Sequence, residues 1–278
     1  MDEQNVTRIT TIHLLGFQTH QIISCWIFFF LLLIYCVSLC GNLLIIILVI
    51  YSKSLHSPMY FFLSQLAVSD ILLATDVLPN TLHTLLLKET IIAFSDCITQ
   101  FFFFAVYILL TMMSYDRYLA ICKPLHYTLI MNFHLCWIII VLCWILGILL
   151  TLIYTITILK LQFCGPNVID HYICDLDPIL QLSCSDVAIV KQKLRLLGAF
   201  TLVIPFIVII VSYIYIIITI LQIPSIIGKQ KAFSTCSSHL IVVCTYFASL
   251  VCVYVVPRRE SANIFKLLSL LYTAGYQI

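Results

Sequence analysis

Asp116 and Arg117 are the residues of this chain best placed to do chemistry, because an opposite-charge pair closes a run with no formal charge from Cys97 to Tyr115 (CITQFFFFAVYILLTMMSY). At the end of a membrane helix such a pair is expensive unless it sits at the interface and finds partners, so it reads as a switch rather than as a catalyst. The bland alternative is a surface ion pair, which contributes little. Asp70 is a second acid inside an apolar stretch, about four turns into it, and an intramembrane carboxylate points to function by default. Asp76 lies six residues on, faces another way and reads as a local feature. No Ser, His and acid constellation stands out, and no Gly-rich phosphate loop follows a strand. An enzyme is therefore not indicated, nor is any cofactor.

The elements that must carry these residues are apolar. The chain has 278 residues, of which 63% are hydrophobic and 9% charged, with a mean hydropathy of +1.13. A soluble domain of this size cannot cover such a surface with polar groups, and a net charge of +2 gives no reason to expect nucleic acid as a partner. The lipid bilayer is the implied partner. A bilayer-spanning helix needs roughly 20 mostly apolar residues. Candidate spans run over about 22–50, 58–87, 97–121, 135–159, 195–222 and 233–256, with a shorter seventh at 263–278 that carries Lys266. The runs are continuous rather than alternating, which excludes a β-barrel. The expected organisation is one membrane domain over 1–278. It comprises an extracellular N-terminus (1–21), six full spans with their loops (22–256) and a partial seventh span. The N-terminal MDEQNVTRIT has neither a basic n-region nor a cleavage site, so the first span reads as an anchor.

Orientation does not follow from charge. The inner loops hold Lys53, Arg117, Lys123, Lys229 and Lys231, while the outer segments hold more basic residues but as many acids. Asn5-Val6-Thr7 is a glycosylation acceptor, which works only on the lumenal face. Of 13 cysteines most lie within spans and read as small packing residues. Cys97, Cys164, Cys174 and Cys184 fall in outer segments, where an oxidising compartment favours disulfides. Spacing alone allows three pairings, and a zinc site using His171 is the rival reading, without a paired CxxC to support it.

Several runs together carry a family resemblance. MMSYDRYLAICKPLHY (112–127) resembles the third-helix signature MAYDRYVAICHPLHY of olfactory receptors, a branch of the rhodopsin-like G-protein-coupled receptors. Ser114, Leu119 and Lys123 replace the family's Ala, Val and His. Gly41-Asn42, PMYFFLSQLAVSD (58–70), FCGPNVIDHYICDLDPILQLSCSD (163–186), Ser212-Tyr213 and KAFSTCSSHL (231–240) resemble further family segments at compatible spacings. The resemblance covers about 22–273. It implies an all-α membrane protein, a rhodopsin-like bundle of seven transmembrane helices with the last one incomplete. It also implies bridges Cys97–Cys174 and Cys164–Cys184, and a polar network at Asn42 and Asp70. Asp116, Arg117, Tyr118, Tyr213 and Lys231 are implied as the switch that couples to a heterotrimeric G protein at the plasma membrane. The ligand would be a small odorant, and an apolar, aromatic cavity suits it. Tyr107, Thr201, Phe247 and Tyr254 are the candidate lining residues, with interhelical packing as the alternative role for each.

Two departures bear on that reading. Cys97 and Arg117 lie 20 positions apart, about five fewer than in the family. Five missing residues shorten an α-helix by roughly 7.5 Å and rotate one end by about 140°, and the loss falls near 105–108. The family commonly has Glu ten residues before the Asp of this motif, where this chain has Val106, so a sodium site with Asp70 would lack one carboxylate. The chain also ends at SLLYTAGYQI without the family's NPxxY segment. Weak or absent signalling is the expectation, and a non-signalling product of a degraded receptor gene is the rival function. A transporter is disfavoured, since no inverted repeat or pair of broken helices is visible.

Overall fold

A computed structural model describes residues 10–17, 20–100, 104–164, 166–255 and 266, with 104, 105 and 249–255 by their backbone only. The long helices are α1 (Gln21–Tyr51), α2 (Pro58–Leu87), α4 (Phe104–Cys122), α6 (Phe133–Leu159), α8 (Ala188–Gln222) and α9 (Ile226–Val255). Short helices α3 (Phe94–Thr99), α5 (Pro124–Ile130) and α7 (Leu176–Gln181) sit in the connections. α1, α2, α6 and α8 are each long and apolar enough to cross a bilayer. At about 1.5 Å per residue, the 31 residues of α1 reach roughly 46 Å, well beyond a hydrocarbon core of about 30 Å.

Local chemistry sets the helix ends. Pro58 occupies the first turn of α2, where its missing N–H is not needed, and Lys88 closes the helix in the left-handed region at φ 64°. The Asn132 side chain accepts from the Leu135 N–H at 2.8 Å and starts α6. Packing then ranks the helices. Half of the spanning stretch of α2 is buried, against 22% for α1 and α6, whose exposed Trp26, Phe29, Leu33, Leu142 and Ile145 suit lipid. The main core lies where α2, α4, α6, α8 and α9 converge, around Phe62, Leu110, Ile140, Ile216 and Val243.

The third span differs from expectation. A single run over 97–121 was expected, and the described residues form α3 and α4 on either side of 101–103. α3 is tied to the loop after α6: Cys97 is bonded to Cys174, and Gln100 Oε1 accepts from the Cys174 N–H at 2.8 Å. α8 and α9 start earlier than their apolar runs, at Ala188 and Ile226, because the charged turns ahead of each run are helical too. The seventh span lies outside the described residues apart from Lys266, and Asn5 lies outside them as well.

The end of the bundle that holds the Cys97–Cys174 bridge, termed the outer end, carries a feature absent from the expected all-α plan. Thr11–Leu14 (β1) is the central strand of a sheet, antiparallel to Thr90–Ala93 (β2) and parallel to Val168–Ile169 (β3). Ile12 and Leu14 alternate with exposed or half-buried neighbours and are fully buried against Ile92, Cys97, Ile158 and Ile169. Phe17 continues the segment and stacks on Tyr172 at 5.4 Å.

Candidate functional site

The end of α4 away from the disulfides, termed the inner end, holds the sequence's charged pair in a buried cluster. Asp116 is fully buried and Arg117 nearly so, with Arg117 Nη2 3.2 Å from Asp116 Oδ2. The other Asp116 oxygen accepts from the Tyr127 hydroxyl at 2.9 Å, so α5 folds back onto the pair. Burial, reinforced by the Asp116 carboxylate, pushes the Tyr127 phenol above its ordinary pKa, so it stays a donor across the physiological range. Tyr118 faces a different neighbour, packing edge-on against Tyr215 of α8 at 5.9 Å. Cys122 Sγ lies 3.1 Å from Thr219 Oγ1, a second tie between α4 and α8.

Arg117 also faces α8 and α9. Its charge acts on Tyr213, Cys236 and His239. The Tyr213 hydroxyl is 2.6 Å from His239 Nδ1, and the two rings stack at 5.9 Å. The same hydroxyl donates to the Cys236 carbonyl at 3.4 Å, so Tyr213 joins α8 to α9. Lys231 stands apart from this cluster, exposed one to two turns earlier on α9, where it lines a cavity of about 540 Å³ with Ile227, Gln230, Ser234 and Thr235. The arrangement can hold or release an arginine between an acid on its own helix and polar groups on two others.

The remaining sequence candidates separate into groups. Asn42 and Asp70 are both buried, and Asn42 Nδ2 donates to Ser38 Oγ at 3.3 Å within α1. Tyr107 and Phe247 share the main core, where Phe247 packs on Phe206 at 4.8 Å and edge-on to Tyr246. Thr201 is not in that core cluster; its hydroxyl bonds the carbonyls of Leu197 and Gly198 in its own helix. The Tyr254 side chain lies outside the described residues. A further cavity, of about 290 Å³, lies between α1, α2 and α6 beside Ile50, Phe61 and Phe133.

At the outer end Cys97–Cys174 and Cys164–Cys184 are bonded, with Cα separations of 5.4 and 5.6 Å. All four sulfurs are thereby engaged in disulfides, leaving no thiolate among them for a metal. His171 stacks on Tyr172 at 4.8 Å, and its Nδ1 accepts from the Ile173 N–H.

Sequence reasoning quoted the runs containing Tyr127 and His239 without giving either residue a role. Their signal was position: each is a polar ring at or next to the end of a motif already singled out. The contact of Asp170 with Lys266 carried no local signal, since the two are 96 residues apart.

Comparison with known proteins agrees over nearly the whole chain. A family profile described as "Olfactory receptor" matches residues 31–278. The chain is 42% identical to human olfactory receptor 2A12, covering 98% of this chain and 89% of that protein. It is 39% identical to human olfactory receptor 6C2 with the same coverage. It is 42% identical to human olfactory receptor 13G1 over 92% of this chain and 85% of the relative.

Proposed function

The chain belongs to the olfactory receptor family, a family of multi-pass G-protein-coupled receptors with a seven-helix bundle, and from that premise we propose that it binds a small odorant and activates a stimulatory, olfactory-type heterotrimeric G protein. In this reading the N-terminus is extracellular, Asn5 is glycosylated and the receptor works at the plasma membrane. Asp116, Arg117, Tyr118, Tyr213 and Lys231 serve coupling, and Asn42 with Asp70 forms a polar network within the bundle. Tyr107, Thr201, Phe247 and Tyr254 line the ligand cavity, where aromatic surface and few polar anchors suit an apolar volatile.

The observation that carries the reading is the reach of Arg117 across three helices. The guanidinium is bound to Asp116 on α4 and lies within electrostatic reach of Tyr213 on α8 and of Cys236 and His239 on α9. A cation with alternative partners on separate helices is the kind of two-state element that a ligand bound elsewhere can bias. Expression of the chain with an olfactory-type stimulatory G protein and a cyclic AMP reporter tests it. An odorant panel should raise cyclic AMP, and Arg117→Ala should abolish the rise at equal surface level. A full response in Arg117→Ala would remove the coupling assignment. Silence from a surface-displayed chain would instead favour the non-signalling rival.

A further inference from the structure

The two bridges of the outer end differ in access. Cys97 and Cys174 are buried, at 0% and 3% exposure, among Ile12, Ile98, Ile158 and Ile179. Cys184 is exposed and Cys164 half-buried. A disulfide is opened by a thiolate that reaches one of its sulfurs. A bridge within an apolar core is closed to that attack, and an exposed one is open to it.

The segments that the exposed bridge joins are also held without it. The Cys164 N–H donates to the Leu182 carbonyl at 3.3 Å, and the Cys184 N–H to the Gln162 carbonyl at 3.0 Å. Ser183 Oγ donates to that same Gln162 carbonyl at 2.9 Å, and Ser185 Oγ accepts from the Gln162 N–H at 3.1 Å. Phe163, which pairs with Ser183, is buried and packs edge-on against Phe94 of α3 at 5.8 Å. Within the loop, Asp177 of α7 holds Lys191 and Arg195 of α8. These ties keep residues 164 and 184 side by side, at a Cα separation of 5.6 Å, when the sulfurs part. Opening this bridge therefore does not depend on unfolding the loop.

We propose that Cys164–Cys184 is a reversible thiol-exchange site whose substrate is a small hydrophilic thiol of the glutathione class. Gln162, Ser183 and Ser185 adjoin the sulfurs and give the site a polar rim. The thiolate attacks Cys184 Sγ, the more exposed sulfur, and a new S–S bond forms there. The old S–S bond breaks, and its electron pair leaves with Cys164 Sγ, which takes a proton from water. The products are a mixed disulfide on Cys184 and a free thiol at Cys164, so one disulfide replaces another with no net oxidation. The backbone ties hold Cys164 beside Cys184, so the Cys164 thiolate attacks in return, expels the small thiol and restores the bridge once the thiol is withdrawn. Cys97–Cys174 takes no part. The loop around α7 thereby follows the thiol content of the surrounding fluid while its attachment to α3 stays fixed.

The test uses the purified full chain in lipid nanodiscs, well below its unfolding temperature. Free thiols are capped with N-ethylmaleimide, reduced glutathione is added, and the exchange is stopped with acid. New thiols are then capped with isotope-labelled maleimide, and peptides are mapped without reductant. Glutathione should appear on Cys184 and the label on Cys164, about tenfold or more faster than either appears on Cys97 or Cys174. Removing glutathione before the acid step should return the bridge, and Ser183→Ala/Ser185→Ala, which deletes two of the hydrogen bonds, should slow that return. The reference variant Cys164→Ala/Cys184→Ala should take up neither reagent. Equal rates at the two bridges would show that the thiol enters only through unfolding, and would overturn the proposal. So would an unmodified Cys164–Cys184 pair, glutathione on Cys164 alone, or a bridge that stays open after the thiol is removed.

Discussion

The two ends of the bundle are built on opposite principles. At the outer end, two disulfides, a three-stranded sheet and a half-exposed ion pair join segments near residues 12, 92, 169 and 266. Inside, single polar contacts join α4, α5, α8 and α9: Arg117 to Asp116, Tyr127 to Asp116, and Tyr213 to His239. A covalent tie has one state under oxidising conditions, while a lone hydrogen bond or ion pair can exchange partners at a cost of a few kcal/mol. In the proposed function, the end that holds its shape would receive the ligand and the end that can change would transmit the signal.

The contrast can be broken from the outside first. Cys97→Ser opens a bridge with a sequence separation of 77, and loop entropy assigns that bridge roughly 4.5 kcal/mol. Surface display, measured by antibody to an extracellular tag, should collapse. Cys184→Ser opens a separation of only 20, for which the same relation gives roughly 3.3 kcal/mol, so its loss of thermal stability should be visibly smaller. Equal losses would mean that the outer end does not stabilise by chain closure.

Inside, Arg117→Ala leaves Asp116 buried without its cation, a change that costs about 3 kcal/mol where the partner cannot be rehydrated. Cyclic AMP measurement should show lost agonist response. Tyr127→Phe removes one donor to a carboxylate, worth about 2 kcal/mol. Loosening Asp116 should raise basal cyclic AMP while agonist response persists. Tyr213→Phe deletes the contacts to His239 and the Cys236 carbonyl, for about 1 kcal/mol, and should shift agonist potency with only a small loss of thermal stability. A larger effect from Tyr213→Phe than from Arg117→Ala would invert the roles given to these residues.

The contrast also explains what could be read in the sequence. Helices with continuous apolar runs were legible to within a residue or two: 58–87 coincides with α2, and 135–159 falls two residues inside α6. The extra turns of α8 were hidden because Lys191 and Lys193 look like loop charges, whereas Lys191 binds Asp177 of α7 at 3.0 Å, beside Arg195 at 2.9 Å. The strand at 11–14 had its alternation in view in Ile12 and Leu14, but a four-residue pattern has no meaning until its partners at 90–93 and 168–169 are known. The inner cluster lay within quoted motifs, so Asp116 and Arg117 were found. Tyr127 and His239 went unassigned because contacts between separate helices do not follow from spacing along one of them.

The place of β1 in the middle of its sheet has a consequence for biosynthesis. The strand is the first of the three to leave the ribosome, and both edges must wait for loops that emerge after later helices. It holds unpaired backbone on both sides during that interval, and Ile12 and Leu14 have no apolar shelter. The sheet therefore closes only after the membrane helices around it have been inserted and the outer loops brought together. A quality-control factor that recognises this exposed N-terminal segment would be reading, from one end of the chain, whether the rest had been assembled.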